Sequence, residues 1–298
     1  MLTDEVVVRT RDLTMHYGSK VVLNGIDIEV HRGEVVALLG PNGAGKTTTI
    51  EILEGLRSPT SGLVEVFGIN PLHASIEHRA RVGVVLQSWR DHGRWRVREF
   101  LHHLSILYAP FRADDATWSV DALLERVGLG DRARSRIASL SGGQRRRLDV
   151  AVGLIGQPDL LFLDEPTTGF DPHARREFHE LMHELADTRS TAILLTTHDL
   201  AEAERLADRI LILDGGHIAA NGSADDLARS VAGATEVRWR VADDRFVHST
   251  DDATTFVRDL LVGDPGVTDL EVRRSTLEDT YLTMVARAAN PTFVEETQ

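Results

Sequence analysis

The sequence predicts an α/β fold with a mostly parallel core sheet, an antiparallel β subdomain at the N-terminus, a helical insert and a small C-terminal α+β appendage. Three observations carry this expectation. Short apolar runs at 34–39, 160–163, 192–196 and 210–213 are bounded by glycine or polar residues and separated by helical patterns, as in buried parallel strands joined by crossover helices. Between the first two runs, from Val97 to about Gly156, the apolar spacing turns helical. Past Asn221-Gly222 it turns period-two: Val237, Trp239 and Val241 alternate with Arg238 and Arg240.

In chain order, 6–8 and 21–30 predict an opening antiparallel pair, 34–39 a buried strand, and 46 to about 56 a helix. Strands are expected near 63–67 and 82–86. Phe100, Leu101, Leu104 and Leu107, then Val120, Leu123, Leu124 and Val127, mark helices of the insert, about 88–156. Asn221-Gly222 reads as a turn and a boundary, dividing a domain at 1–222 from an accessory α+β domain at 223–298. The latter is expected to hold a helix at 254–261, a strand near 270–272, and a last helix opened by the capping box Ser275-x-x-Glu278.

Composition narrows the function. With 298 residues, 42% apolar and 27% charged, the chain is an ordinary globular one. Its net charge of −13 argues against a nucleic-acid partner, which needs a basic footprint. The absence of cysteine excludes disulfides, thiolate metal sites and a cysteine nucleophile. The longest apolar run has five residues, 35–39, against the roughly 20 a spanning helix needs. The opening MLTDEVVVRT lacks the pattern of a signal peptide.

Gly40-Pro41-Asn42-Gly43-Ala44-Gly45-Lys46-Thr47 fits G-x-x-x-x-G-K-[ST], directly after a predicted strand and opening a predicted helix. Glycines let backbone N–H groups curl round a phosphate, and the helix N-terminus adds fractional positive charge. Lys46 would reach the β- and γ-phosphates and the Thr47 hydroxyl would ligate Mg²⁺, with Thr48 completing the ATP-binding stretch. Only two of the 33 basic residues are lysines, Lys20 and Lys46, so a lysine here runs against the composition.

The run 160–163 ends in Asp164-Glu165. A carboxylate at a strand tip beside a phosphate loop suits Mg²⁺, and its neighbour can polarise water; alone, the pair would read as a solvated loop. Leu140-Ser141-Gly142-Gly143-Gln144 lies upstream and starts a helix, Gln87 ends a strand, and His198 follows another. Phosphate loop, glutamine, LSGGQ, Asp-Glu and histidine in this order resemble the ATP-binding subunits of ABC transporters over about residues 5–220. The sequences 144–149, 197–199, 202–205 and 277–282 are most similar to the daunorubicin-resistance type of exporter ATPase.

The resemblance implies a P-loop NTPase of the ABC ATPase type, with the following roles. Tyr17 would stack on adenine. Gln87 would contact Mg²⁺ and the attacking water and sense the transport partner. Asp164 would hold Mg²⁺ and Glu165 would be the general base. Ser141, Gly142, Gly143 and Gln144 would meet the γ-phosphate of ATP held by a second, head-to-tail copy, Asp171 would sit across that interface, and His198 would hold the γ-phosphate. The partners implied are that second subunit and an integral membrane permease, at the cytoplasmic face of the cell membrane. Ser141 is a good N-cap before two glycines, so its helix N-terminus offers a second anion site. Phe170 stands where the family usually has leucine, and the stretch after Gln87, 88–96, is unusually aromatic and basic.

Two other readings compete. A soluble ABC ATPase of DNA repair or translation control would usually carry two ATP domains or long coiled-coil inserts, and neither is present here. His179-Glu180-Leu181-Met182-His183 fits the zinc-protease pattern H-E-x-x-H, with both histidines expected on a polar helix face. It lacks an evident third ligand, although Glu202 or Glu204 could be proposed.

Overall fold

The computed structural model describes residues 5–85, 92–111, 118–232, 235–241, 244–250, 252–264 and 266–273. The chain divides into two compact units, Met1–Ala219 and Ala220–Gln298.

The first unit opens with β1 (Val6–Tyr17) and β2 (Lys20–His31), an antiparallel hairpin that is longer than the two valine runs predicted. Then come β3 (Val35–Leu39), α1 (Lys46–Leu53), β4 (Ser61–Val66), α2 (Ile76–Ala80) and β5 (Val82–Val85). The insert supplies α3 (Val97–Tyr108), α4 (Val120–Arg126) and α5 (Gly142–Leu154). There follow β6 (Leu160–Asp164), α6 (Pro172–Arg189), β7 (Ala192–Thr197), α7 (Leu200–Leu206), β8 (Arg209–Asp214) and β9 (His217–Gly222).

Strand β4 joins the hairpin in a three-stranded antiparallel sheet ordered β2-β1-β4, and the core sheet runs β5-β6-β7-β3-β8-β9. The pairs β5–β6, β6–β7, β3–β7 and β3–β8 are all parallel. Every residue of β3, β6 and β7 is buried, as expected of strands covered on both faces, and they are apolar except where β6 ends in Asp164 and β7 in Thr196-Thr197. The hairpin, α1, β4 and parts of β3, β6, β7 and β8 share one apolar core that includes Leu13, Ile28, Ile50, Val64, Phe162 and Leu194. Because the parallel strands all end on the same side, the loops after β3, β6 and β7 emerge together, where open α/β sheets bind ligands.

Asn221-Gly222 is not a turn but the end of β9. The reversal lies earlier, at Gly215-Gly216, where φ of 54° and 82° gives the two left-handed residues a tight hairpin needs. In the second unit, after α8 (Ala224–Ala232), come β10 (Thr235–Val241), β11 (Asp244–Thr250), α9 (Ala253–Gly263) and β12 (Val267–Arg273). They form an antiparallel sheet ordered β11-β10-β12, with α9 packed on β10 and β12. The predicted last helix and its capping box lie outside the described residues.

Candidate functional site

The loop after β3 turns tightly onto α1. Gly45 caps α1 at φ 110°, and a Cβ there would meet Leu23 Cδ2 at 2.7 Å. At Gly40 a Cβ would lie 2.3 Å from the Leu213 carbonyl oxygen, so only glycine fits. Gly45 brings no side-chain cap, so α1 presents its N-terminus through backbone amides alone. Lys46 is 6% exposed, and its Nζ donates to the Gly40 carbonyl at 2.8 Å and the Pro41 carbonyl at 3.2 Å. Burial pulls the ammonium below the ordinary lysine pKa, while Glu165 and Asp164 pull it back up.

Asp164 is buried at the tip of β6, where its carboxylate faces α1: Thr47 Oγ1 is 3.3 Å from Oδ2 and 3.5 Å from Oδ1. From the neighbouring β7, Thr196 Oγ1 donates to Asp164 Oδ1 at 2.5 Å. The same hydroxyl accepts the Glu165 amide at 3.1 Å, which also reaches the Thr196 carbonyl at 3.2 Å. Glu165 has φ of 47°, a left-handed backbone uncommon outside glycine. Its Oε1 lies 3.1 Å from His198 Nδ1, so a His198 tautomer protonated at Nδ1 donates to the carboxylate. Hydroxyl and carboxylate oxygens converging beside a phosphate loop are the hard donors that Mg²⁺ prefers, so Thr47 and Asp164 fit that ion.

Ser141 caps α5 in a full capping box. Its hydroxyl accepts the Gln144 amide at 3.3 Å, and Gln144 Oε1 accepts the Ser141 amide at 3.1 Å. A Cβ at Gly143 would lie 3.4 Å from the Gly169 carbonyl oxygen, so α5 starts against the loop that carries Asp171. Asp171 caps α6, accepting the amides of His173 and Ala174 at 2.9 Å each; the Ala174 bond foremost holds its carboxyl below the usual range.

Tyr17 ends β1, separated by β2 from the phosphate-loop strand, with the Arg57 guanidinium 5.1 Å from its ring centroid. Gln87 and Trp89 lie outside the described residues. Trp95, 38% exposed, packs its ring on Phe100 and His103 of α3. The two histidines of the H-E-x-x-H pattern do not share a polar face. His179 is buried beside Phe178, while His183 is exposed, with Nε2 3.2 Å from the Arg205 carbonyl. Among the described residues no three His, Cys, Asp or Glu side chains come together as metal ligands.

Three residues shape the site in roles that the sequence did not suggest, Glu202 having been weighed only as a third zinc ligand. Thr196 links Asp164 to Glu165; a hydroxyl ending an apolar strand was the available signal. Buried Glu202 accepts from Thr167 at 2.6 Å and Thr197 at 2.5 Å, tying α7 to the loop after β6 and to the end of β7; burial raises its carboxyl above the usual range. Arg146 binds the backbone behind Glu165, and its signal was helical spacing, which sets an arginine on the buried stripe with Val150 and Leu154.

The sequence profile described as "ABC transporter" matches residues 23–168. The daunorubicin resistance ATP-binding protein DrrA3 of Streptomyces coeruleorubidus is 44% identical over 223 residues, 73% of this chain and 68% of that protein. The Nod factor export ATP-binding protein I of Cupriavidus pinatubonensis is 43% identical over 233 residues, 78% and 70% of the two chains. A solved ATP-binding subunit of an ABC transporter superposes with a TM-score of 0.66 at 30% identity, over 75% of this chain and 92% of that one. A dimeric bacterial ABC transporter cassette, 23% identical with a TM-score of 0.62 over 72% and 98% of the two chains, shares the fold.

Proposed function

The chain belongs to the ABC transporter family as an ATP-hydrolysing motor subunit, and we propose that it drives export through a separate membrane permease with the residues assembled around Lys46, Asp164 and Glu165. Relatives named for daunorubicin resistance and Nod factor export support outward transport of a drug-like or lipid-like substrate. The subunit works at the cytoplasmic face of the membrane; among the described residues no helix is long and apolar enough to cross it.

In this reading the amides from Gly40 to Thr48 and the Lys46 ammonium hold the β- and γ-phosphates, and Tyr17 stacks on the adenine. Thr47, Asp164 and Gln87 supply the oxygen ligands of Mg²⁺, which when bound neutralises charge on the phosphates. Glu165 takes the proton of the attacking water. His198 steadies the Glu165 carboxylate through Nδ1 and turns Nε2 toward the γ-phosphate. Ser141, Gly142, Gly143 and Gln144, at the N-terminus of α5, bind the γ-phosphate held by a second copy packed head to tail, and Asp171 lies across that interface. One chain cannot readily aim two helix N-termini at one phosphate from opposite sides, whereas two chains can.

The observation that carries the reading is the convergence of the Thr47 hydroxyl, the Asp164 carboxylate and the Glu165 carboxylate at the ends of adjoining elements. Its test is Glu165→Gln. Removing a general base lowers turnover about 10²–10⁴-fold, while Mg-ATP binding persists and ATP-bound dimers accumulate on size exclusion. Near-normal turnover would assign the base to another group.

A further inference from the structure

The Glu165 backbone is held from two sides, and only one of them belongs to its own sheet. On the sheet side its amide is fixed by Thr196 of β7. On the other side Arg146, rooted in α5 and 6% exposed, reaches three consecutive carbonyls: Asp164 at 2.5 Å, Glu165 at 3.0 Å and Pro166 at 3.0 Å. Desolvating a guanidinium is costly unless it is well bonded; the carboxylates of Asp149, Asp164, Glu165 and Glu202 offset part of that cost, while the guanidinium's hydrogen bonds to this loop go to its backbone carbonyls. A left-handed glutamate persists only where its surroundings over-determine it. The carbonyl of that glutamate and those of both its neighbours are the groups that Arg146 holds.

We propose that Arg146 is a positioning residue for ATP hydrolysis: its guanidinium fixes the Asp164–Pro166 backbone and so keeps the Glu165 carboxylate aimed at the attacking water. The proposal rests on Glu165 being the general base. Without the guanidinium the Glu165 carbonyl keeps only the long bond from the Thr168 amide at 3.4 Å, the left-handed backbone loses most of its support, and the side chain drifts from the water. Asp164 also keeps its bonds from Thr196 and Thr47 when Arg146 is replaced, so the phosphate-binding half of the site is spared.

The test uses the full-length protein and compares Arg146→Met, Arg146→Gln and Arg146→Lys, each alone and with Glu165→Gln. Misplacing a catalytic group by about 1 Å lowers turnover about 10²-fold, so Arg146→Met is expected to lower kcat by about that factor with KM for ATP within about twofold of wild type. Arg146→Gln, which can still donate to a carbonyl, recovers part of the loss. In the Glu165→Gln background Arg146→Met removes less than about twofold more, because positioning an absent base gains nothing. A rise in KM matching the fall in kcat, or the same loss with and without Glu165, would overturn the proposal. Should Arg146→Met fail to fold by circular dichroism, the Gln and Lys variants carry the same comparison. Glu165→Gln alone tests the base: if its turnover is near normal, the base reading fails, and if it is slow while the Arg146 variants are normal, only this inference fails.

Discussion

Strands β3, β6 and β7 of the first unit are buried at every position, whereas in β11 of the second unit every side chain from Asp244 to His248 is exposed. The first unit therefore seats its polar groups where fully buried strands end, and each has a fixed neighbour: Thr196 on Asp164, His198 on Glu165, Lys46 on Gly40. The second unit is held by a small aromatic group, Trp239 stacked on Phe246 at 5.6 Å and His248 on Phe256 at 4.2 Å. A backbone strained like that of Glu165 needs support on several sides, which a sheet buried on both faces provides and which, among the described residues, the three-stranded sheet packed by α9 does not. The difference separates a unit built to hold atoms in place from one whose contribution to hydrolysis is expected to be small.

The largest effect expected is at Lys46, where the fully supported region tolerates least. Its ammonium fits between the Gly40 and Pro41 carbonyls in a loop packed closely on its neighbours. A planar guanidinium is wider, and would have to displace the loop backbone that is meant to hold phosphate. Lys46→Arg is expected to abolish hydrolysis and weaken Mg-ATP binding while circular dichroism stays unchanged. Turnover within about fivefold of wild type would mean that the loop requires only positive charge, not shape.

The same contrast sets what was legible in the sequence. Residues whose roles depend on chain neighbours could be read directly: the phosphate loop, the Ser141–Gln144 cap and the carboxylates ending β6 are contiguous, and their local conformation follows from glycine and capping chemistry. Thr196 and Arg146 act on residues 32 and 18 positions away; helical spacing puts Arg146 on the buried stripe of α5 but does not tell which backbone it meets there. Strand β9 alternates exposed and half-buried positions and ends in Asn221-Gly222, a dipeptide that signals a turn, so its last residues point away from a strand in the sequence. Strand β11 shows no hydrophobic alternation, because its apolar residues Phe246 and Val247 are adjacent rather than alternating.

An intermediate effect, on stability rather than turnover, is expected at Glu54, at the C-terminal end of α1. Both of its carboxyl oxygens are buried without a hydrogen-bond partner. Burial, with Asp164 and Glu51 adding repulsion, pushes its pKa from 4.5 up to about 8. The folded chain thus binds this proton more tightly than the unfolded chain does, so the contribution of Glu54 to stability falls as pH rises from about 4.5 toward about 8. Glu54→Gln keeps the neutral shape and removes that slope. In nucleotide-free protein its melting temperature should exceed that of wild type at pH 9 and approach it at pH 5. An equal difference at both pH values would show that the carboxyl is not held neutral by burial.

The smallest effect on hydrolysis is expected from the most disruptive change in the second unit, Trp239→Ala. The Trp239 ring touches both Phe246 and Phe256, each with centroids 5.6 Å away, so its removal opens the centre of that aromatic group. Truncating a fully buried aromatic typically destabilises by about 3–5 kcal/mol; Trp239 is half-buried, so its loss is expected to cost less, still a sizeable share of what a small core supplies. Scanning calorimetry should show one transition moving to lower temperature while the transition of the nucleotide-binding unit stays in place. ATPase turnover of the full chain, measured below both transitions, should stay within about twofold of wild type, because the residues proposed to bind and hydrolyse ATP all lie within Met1–Ala219. If turnover instead falls as the second unit melts, the contrast between the two regions fails, and the second unit is part of the machinery that keeps the site in order.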